Sequence, residues 1–231
     1  MTGGLGHVLW LGGPPDSGKT TVARLLAERH GLTVYSFDRQ ELAHFSRADP
    51  RLHPVLWAAR PEVMTPEQRW LGSTPAEMAR ATIASWGERF GMMLDDVRMS
   101  PTDAPLLVEG PGLFPELVAP VIADRHQAVW LIPTAEFKRA SALARGKPGS
   151  RHETSDPEQA TRNLIERDLL MGEYIRRQAD CLELAVIDVD GSLDVNALVE
   201  RVATHFGVRL PPSSQPSFSG VLRGTVILRK M

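Results

Sequence analysis

The sequence contains little cysteine, and it lacks a surplus of charge of either sign. Its single cysteine, Cys181, excludes an intramolecular disulfide and any zinc site that is built from several cysteines. The 26 basic and 28 acidic residues give a formal charge of −2 at pH 7. Because a general nucleic-acid-binding protein needs a large positive surplus, we expect no nucleic-acid partner.

A long uninterrupted apolar run is also absent from the sequence. No window reaches the ~18 apolar residues that a membrane-spanning helix requires. The N-terminus has no basic segment followed by an apolar stretch and a cleavage site. We therefore expect no membrane partner and a reducing, cytoplasmic setting. Cys181 lies in an apolar run, which favours a buried structural thiol over a reactive one.

Short apolar runs alternate with helical patterns along the 231 residues, a length that suits one generous domain. The runs are apolar or rich in β-branched residues, and they lie at 7–12, 32–37, 105–109, 127–132 and 184–189. Short runs of this kind, separated by helices, are typical of a parallel sheet that is buried on both faces. The pattern predicts an α/β fold.

Residues 40–100 interrupt this alternation, because the region has helix signals and no convincing strand. Thr65-Pro66-Glu67-Gln68 and Thr74-Pro75-Ala76-Glu77 each combine a threonine cap, a proline at the first helical position and Gln or Glu at the third. Apolar residues at helical spacing follow, namely Met78, Ile83, Trp86, Phe90, Met93 and Val97. We predict a helical insertion that packs on the sheet.

Two more helices are predicted towards the end of the chain. Asp156 is placed to cap a long helix, and Ser192 is placed to cap a last helix that ends at Gly207. A linker rich in Pro and Ser then opens residues 211–231, which carry basic residues and no acidic one. We predict that residues 1–210 form the domain and that the rest is a basic tail with a short strand.

A phosphate-binding motif follows the first apolar run. Residues 13–20 read Gly-Pro-Pro-Asp-Ser-Gly-Lys-Thr and match G-x-x-x-x-G-K-[ST] at every fixed position. The apolar run before the motif and the helical pattern after it give the context that such a loop requires; the alternative is an ordinary Gly-Pro turn before a helix. In this context the backbone N–H groups of the loop and of the helix N-terminus point at one place and favour an anion.

The side chains of the motif fit a nucleoside triphosphate and its metal ion. Gly13 and Gly18 allow the backbone to approach phosphate closely. Lys19 supplies a positive charge for the β- and γ-phosphates, and the Thr20 hydroxyl can bind Mg²⁺. The sequence therefore predicts ATP and Mg²⁺ as cofactors. The predicted nucleotide-binding residues are Gly13, Pro14, Pro15, Asp16, Ser17, Gly18, Lys19, Thr20 and Thr21.

With this loop the chain resembles the small P-loop kinases: shikimate kinase, gluconate kinase, chloramphenicol phosphotransferase and, more distantly, the nucleoside monophosphate kinases. The resemblance runs over roughly residues 5–205, and it is specific at the loop and architectural elsewhere. It implies a P-loop NTPase fold with a five-stranded parallel sheet in the order 2-3-1-4-5. It also implies a helical substrate-binding insertion and a mobile lid over the phosphates.

Asp38 closes the second predicted strand in the segment Tyr-Ser-Phe-Asp-Arg. In an open parallel sheet, ligands bind beyond the carboxyl ends of the strands. A carboxylate there can accept the proton of a substrate hydroxyl as that hydroxyl attacks the γ-phosphate. The kinases that the chain resembles place an aspartate at this strand end, which implies a catalytic or substrate-orienting role for Asp38. The alternative is an N-cap for a helix over residues 39–45.

Glu109 follows the third predicted strand and precedes Gly110-Pro111-Gly112. An acidic residue just past a buried strand can bind Mg²⁺, its water shell or the substrate; the alternative is a structural carboxylate. Nucleoside monophosphate kinases typically carry Asp-Gly-Phe-Pro-Arg at this place. The sequence has Glu-Gly-Pro-Gly-Leu-Phe-Pro-Glu instead. The missing arginine disfavours a kinase of that type.

The resemblance implies a lid, and residues 139–157 are its predicted position. A loop rich in Gly, Pro and Ser can move, and arginines on it can close on the transferred phosphoryl group and exclude water. The predicted catalytic arginines are Arg139, Arg145 and Arg167, although any one of them can equally be a solvated side chain. The predicted acceptor-binding residues are Asp38, Arg47, Arg51, Trp57 and Glu109.

Three functions are open at this point, in order of preference. The first is an ATP- and Mg²⁺-dependent phosphotransferase that moves the γ-phosphate to a hydroxyl of a small molecule, such as a metabolite, a sugar or an antibiotic-like compound. The second is a nucleoside or nucleoside monophosphate kinase, which the arginines of the insertion favour. The third is a nucleotide-gated binding or regulatory protein whose basic tail meets a partner.

Overall fold

The computed structural model describes residues 5–101, 105–145 and 149–208. Within these residues, the strands of a parallel sheet are β1 (Val8–Gly12), β2 (Thr33–Ser36), β3 (Leu106–Glu109), β4 (Ala128–Pro133) and β5 (Ala185–Val189). Their order in the sheet is β2-β3-β1-β4-β5. This order confirms the predicted α/β fold with the arrangement 2-3-1-4-5. The predicted tail of residues 211–231 lies outside the described residues.

The strands are short and apolar because helices cover both faces of the sheet. β3 and β4 are buried along their whole length, and β1 lies between them. Leu11 of β1 pairs with Glu109 of β3 and with Val129 of β4. The carboxyl ends of the central strands therefore meet at one edge, which is where ligands bind in open parallel sheets.

The helices of the described residues are α1 (Lys19–His30), α2 (Glu41–Arg47), α3 (Pro54–Ala58), α4 (Pro66–Leu71), α5 (Pro75–Met99), α6 (Pro115–Val118), α7 (Ala135–Arg145), α8 (Pro157–Cys181) and α9 (Val195–Phe206). Helices α2 to α5 fill the predicted insertion between β2 and β3. Helix α5 packs on α8, and α1 packs on α9. In this part of the chain, no helix combines the length and the apolar character that a membrane span needs.

Two apolar clusters hold the layers together, because successive side chains of a strand point to opposite faces of the sheet. Trp10 of β1 and Trp130 of β4 are fully buried in the cluster that the sheet forms with α5 and α8. Leu11 and Leu131, the next residues along the same strands, join the cluster with α1 and α9. The two pairs of helices thus lie on opposite faces.

Most helix ends follow the signals in the sequence. Thr65 and Thr74 form capping boxes at the starts of α4 and α5, and Asp156 caps α8. Gly31 and Gly207 end α1 and α9 in the left-handed conformation that glycine adopts without strain. These local predictions are confirmed.

Two local predictions are wrong. Asp194, not Ser192, caps α9, since its carboxylate accepts the Ala197 N–H at 2.8 Å. The Ser192 hydroxyl donates instead to Asp190 at 2.6 Å, which places it in the preceding turn. Cys181 is exposed rather than buried. It ends α8 about half a helical turn past the buried stripe of that helix.

Candidate active site

The phosphate-binding motif forms the connection between β1 and α1, beside the central strands. Gly13 and Gly18 have φ angles of 134° and 88°, in the region that favours glycine. A Cβ atom on Gly13 would lie 2.2 Å from the carbonyl oxygen of Leu131, so that position has no room for a side chain. The path of the loop therefore depends on the glycine that the motif requires there.

Lys19 begins α1, and only 4% of it is exposed. Its ammonium group donates to the carbonyl oxygen of Pro14 at 3.2 Å. Burial lowers the pKa of Lys19, while the negative charges of Asp38 and Glu109 oppose that shift. The ammonium group thus lies among the acidic side chains of the site, where a bound triphosphate needs a cation.

Thr20 and Glu109 lie side by side at the carboxyl edge of the sheet. The Thr20 hydroxyl donates to one carboxylate oxygen of Glu109 at 3.1 Å, and the Ser36 hydroxyl donates to the other at 2.6 Å. Hydroxyl and carboxylate oxygens are ligands that Mg²⁺ prefers. The buried Ser17 hydroxyl has no hydrogen-bond partner among the described residues, which leaves a donor of the loop for phosphate. These residues fit a magnesium–nucleotide complex.

Asp38 follows β2 and begins a short 3₁₀ turn over Asp38–Gln40. Its side chain is exposed, and its charge acts on both the Lys19 ammonium and the Arg89 guanidinium. Asp38 therefore lies between the phosphate-binding loop and the helical insertion. Its side chain does not cap α2, because Gln40 occupies the N-cap position of that helix.

Arg89 of α5 holds the turn that carries Asp38. Its guanidinium is buried, donates to the carbonyl oxygen of Phe37 at 2.7 Å and lies 3.9 Å from the centroid of the Phe37 ring. Its Nε donates to Nδ1 of the buried His44 at 3.2 Å. Burial lowers the pKa of Arg89, while Glu41 and Asp38 oppose that shift. Arg89 thereby fixes the position of Asp38 relative to α5.

A cavity of about 390 Å³ opens next to this turn, between α3, α4, α5 and α8. We call it the insertion cavity. Apolar and charged side chains share its walls, including Glu41, Arg69, Trp70, Trp86, Arg89 and Arg167. Its volume lies within the range of pockets that bind small organic molecules. Glu41 follows the Asp38 turn and Arg89 holds it, whereas Asp38 itself is not among the described residues that line the cavity.

Arg167 connects the insertion cavity to the phosphate-binding loop through buried ion pairs. It lines both this cavity and a smaller one of about 190 Å³ that Pro15 and Asp16 of the loop also line. Its guanidinium donates to Asp168 at 2.6 Å. Lys138 of α7 donates to the same Asp168 carboxylate at 2.6 Å and to Asp16 at 3.0 Å. The phosphate-binding loop and the wall of the insertion cavity thus share one network of charges.

Several predicted acceptor-binding residues lie away from this cavity. Arg47 donates to Asp96 at 2.5 Å. The guanidinium carbon of Arg60 lies 3.3 Å from the centroid of the Trp57 ring. Arg51 is exposed. The described lining of the insertion cavity includes none of the predicted acceptor-binding residues, which are Asp38, Arg47, Arg51, Trp57 and Glu109. Their roles stay predictions.

The remaining predicted arginines lie on α7. Arg139 is exposed and lines a separate cavity of about 310 Å³ together with Pro14 of the loop. Arg145 ends the helix, and its side chain lies outside the described residues. Thr21, the last residue of the predicted nucleotide site, is exposed on α1 and lines a surface cavity next to Glu109.

The sequence does not predict Arg89, Lys138 or Asp168. Arg89 follows Trp86 by three residues and adjoins Phe90, so its place on the buried face of α5 could be inferred from the apolar stripe. Lys138 is one of four lysines, and its partners lie 30 and 122 residues away in the chain. No local sequence pattern indicates an ion pair between residues that lie so far apart in the chain.

Comparisons with known proteins find similar folds. No protein-family model and no curated protein matches the chain. Similar solved structures include an uncharacterized protein from Eubacterium ventriosum, at 14% identity over 87% of this chain and 99% of that chain, with a TM-score of 0.45. TT1252 from Thermus thermophilus is 20% identical over 85% of this chain and 96% of that chain, with a TM-score of 0.49.

A further similar structure is shikimate kinase from Acinetobacter baumannii in complex with shikimate. It is 16% identical over 85% of this chain and 90% of that chain, with a TM-score of 0.43. At these values the likenesses concern the fold alone and carry no argument about activity.

Proposed function

We propose that this protein is an ATP- and Mg²⁺-dependent phosphotransferase that moves the γ-phosphate of ATP to a hydroxyl group of a small molecule. The observation that supports the proposal is that Arg167 lines both the insertion cavity and a smaller cavity beside Pro15 and Asp16 of the phosphate-binding loop, while the charge of Asp38 acts on Lys19 of the loop and on Arg89 of the cavity wall. A loop for the triphosphate, a carboxylate and a cavity for a second molecule are the parts that phosphoryl transfer requires.

The loop binds and orients the triphosphate. The backbone N–H groups at the start of α1 and the Lys19 ammonium bind the phosphate oxygens. Thr20 and Glu109 would hold Mg²⁺, which supplies neutralising charge on those oxygens. Arg167, whose guanidinium pairs with Asp168, lies on the wall shared by the two cavities and contributes to the electrostatic field beside the transferred group without leaving that partner.

Asp38 accepts the proton of the acceptor hydroxyl. The hydroxyl oxygen forms a bond to the γ-phosphorus while the bond from that phosphorus to the bridging oxygen breaks, and ADP leaves with the bridging oxygen. The hydroxyl proton passes to the Asp38 carboxylate. Arg89 contributes by keeping the Phe37–Asp38 backbone in place.

The proposal is tested with substitutions at the two ends of the site. We expect Lys19→Ala to abolish phosphoryl transfer, because the triphosphate loses its main cation. We expect Asp38→Asn to keep the ATP affinity and to lower turnover by about 10²- to 10⁴-fold, because the amide cannot accept the proton. Calorimetric titration with ATP and an assay of ADP release measure the two effects.

Asp95→Asn is a matched control, since Asp95 is exposed on α5 and pairs with Arg98 at 3.6 Å. It should behave as the unaltered protein. Near-normal turnover of Asp38→Asn on the true acceptor would contradict the role of Asp38.

An acceptor panel separates the alternatives. Sugars, antibiotics, nucleosides and nucleoside monophosphates are compared by ADP release. Turnover confined to nucleosides or to their monophosphates would make the protein a nucleoside kinase or a nucleoside monophosphate kinase, respectively. Steady ATP binding with no acceptor-stimulated turnover would support a nucleotide-gated regulatory protein.

A further inference from the structure

Most of the wall of the insertion cavity is apolar or aromatic. Apolar side chains from α2, α3 and α5 and two of the three indole rings of the insertion take part, namely Phe45, Val55, Leu56, Met78, Trp70 and Trp86. Apolar walls gain free energy when they cover apolar surface of a ligand, whereas a polyol would lose its hydrogen bonds to water there. The lining therefore favours a ligand whose body is apolar and about the size of a ring.

Three guanidinium groups and one carboxylate also line the cavity, those of Arg69, Arg89, Arg167 and Glu41. Two of the guanidinium groups are committed to acidic partners. Arg89 lies 3.5 Å from Glu41 in addition to its bonds to Phe37 and His44. Arg167 pairs with Asp168 at 2.6 Å. Neither group is free to neutralise a ligand without losing an existing partner.

Arg69 of α4 differs from the other two. Its one hydrogen bond among the described residues goes from Nη2 to the backbone carbonyl of Ala59. No carboxylate of the described chain lies within ion-pair distance of it. Burial lowers the pKa of Arg69, and the more distant Glu41 opposes that shift. A guanidinium has five N–H donors, and a half-buried one without a counter-ion gains by binding an anion.

We infer that the insertion cavity binds an acceptor with an apolar, ring-sized body and an anionic group that pairs with Arg69. The acceptor hydroxyl then lies towards the wall of Arg167, which the cavity shares with the smaller cavity beside the phosphate-binding loop. The inference concerns the acceptor of the proposed phosphotransferase and rests on that function, but the binding it describes can be measured without turnover.

The test compares matched pairs of ring compounds that differ only in charge. 3-(Hydroxymethyl)benzoate is titrated beside 3-(hydroxymethyl)benzamide, and the same comparison is made with their cyclohexane counterparts. Quenching of tryptophan fluorescence reports binding, because Trp70 and Trp86 line the cavity. We expect the carboxylates to bind about tenfold or more tightly than the amides, as hydrogen bonds to charged groups are the stronger ones.

Variants of Arg69 identify the group that recognises the charge. Arg69→Gln is expected to bind carboxylate and amide equally, and Arg69→Lys to keep much of the preference because it keeps the charge. Arg80→Gln is the matched control on an exposed part of α5, and it should keep the full preference. Circular dichroism checks that each variant is folded, and Arg69→Met, which keeps the apolar stem and removes the charge, replaces Arg69→Gln if that variant is not folded.

Three results would overturn the inference. They are equal binding of carboxylates and amides to the unaltered protein, an undiminished preference in Arg69→Gln, and binding of gluconate, an anionic polyol, as tight as that of the ring carboxylates. Binding that depends on Arg69 but brings no ADP release with any bound compound would support the inference and count against the proposed phosphotransferase. The two proposals can therefore fail separately.

Discussion

At the scale of single residues, Lys138 connects the phosphate-binding loop to helices α7 and α8. Only 1% of its side chain is exposed, and its ammonium group donates to Asp16, to Asp168 and to the carbonyl oxygen of Pro15. Asp16 has a φ angle of 63°, which is unusual for a residue other than glycine. The ion pair helps to hold the loop in this conformation.

Lys138→Met should therefore destabilise the fold strongly. The substitution removes the cation that Asp16 and Asp168 share, and because Arg167 still pairs with Asp168 the loss should stay at or below the ~3–5 kcal/mol that breaking a buried ion pair costs. Urea denaturation measures the loss of the free energy of unfolding.

The double variant Lys138→Met/Asp168→Asn also removes the charge of the carboxylate to which Lys138 donates at 2.6 Å. It should lose less stability than the sum of the two single variants. Strict additivity would show that Lys138 and Asp168 do not interact in the folded protein.

The contrast between Lys19 and Lys138 shows what a sequence reveals about single residues. Lys19 could be predicted because the cause of its role, the glycine-rich loop and the helix that follows, lies within a few residues of it. The role of Lys138 depends on Asp16, 122 residues earlier. A residue whose partners are brought together only by the fold carries no local pattern.

At the scale of elements, helix α5 supports much of the candidate site. It spans Pro75–Met99, carries Arg89 and supplies one wall of the insertion cavity. Gly91 lies in the middle of this helix, although glycine lowers helix stability. A Cβ atom on Gly91 would meet no heavy atom within 4 Å, and its φ angle is helical rather than left-handed.

Gly91→Ala is therefore expected to raise the free energy of unfolding by about 1 kcal/mol. Gly112→Ala is the contrasting variant in the loop after β3, where a Cβ atom would lie 2.3 Å from the Phe37 ring. It should lower the stability by about 1–3 kcal/mol, because the ring has to move. Thermal unfolding followed by circular dichroism compares the two. A destabilised Gly91→Ala would mean that α5 needs the flexibility of glycine there.

The elements themselves could largely be predicted, since strands, caps and helix ends have local causes. The packing of the insertion could not. The hydrogen bond from Asn163 to the carbonyl oxygen of Trp70 joins α8 to α4 across 93 residues, and the apolar stripe of α5 does not indicate it. The insertion cavity exists only because α3, α4, α5 and α8 meet, so neither its volume nor the position of Arg69 follows from periodicity.

At the scale of the whole molecule, His44 makes the stability depend on pH. Its ring is fully buried, accepts the Nε–H of Arg89 at 3.2 Å and lies 3.1 Å from Asp96 and 3.3 Å from the Tyr35 hydroxyl. Burial lowers the pKa of His44 below its ordinary value of 6.5; its hydrogen bond to Asp96 opposes this shift, and the charges of Arg89 and Arg47 add to it. A proton on Nδ1 would also break the bond from Arg89.

The free energy of unfolding should therefore fall as the pH drops below about 6.5. In that range the unfolded chain binds a proton at position 44 while the folded chain still holds the ring neutral. The contribution of His44 is fully present above its ordinary pKa and is lost as the pH falls to the lower pKa of the folded state. Urea denaturation between about pH 8 and pH 5 measures this slope.

His44→Gln should show a smaller slope than the unaltered protein. A part should remain, because burial also lowers the pKa of His205. An unchanged slope would mean that His44 takes up its proton equally well in the folded and unfolded states.

The position of Arg167 on the walls of two cavities has a consequence for inhibitor chemistry. The Arg167 guanidinium lines both the smaller cavity beside the phosphate-binding loop and the insertion cavity. In the proposed phosphotransferase, a bisubstrate compound that links a polyphosphate to a ring with a carboxylate group would occupy both cavities at once. Tethering makes the second contact intramolecular, so such a compound should bind far more tightly than either fragment.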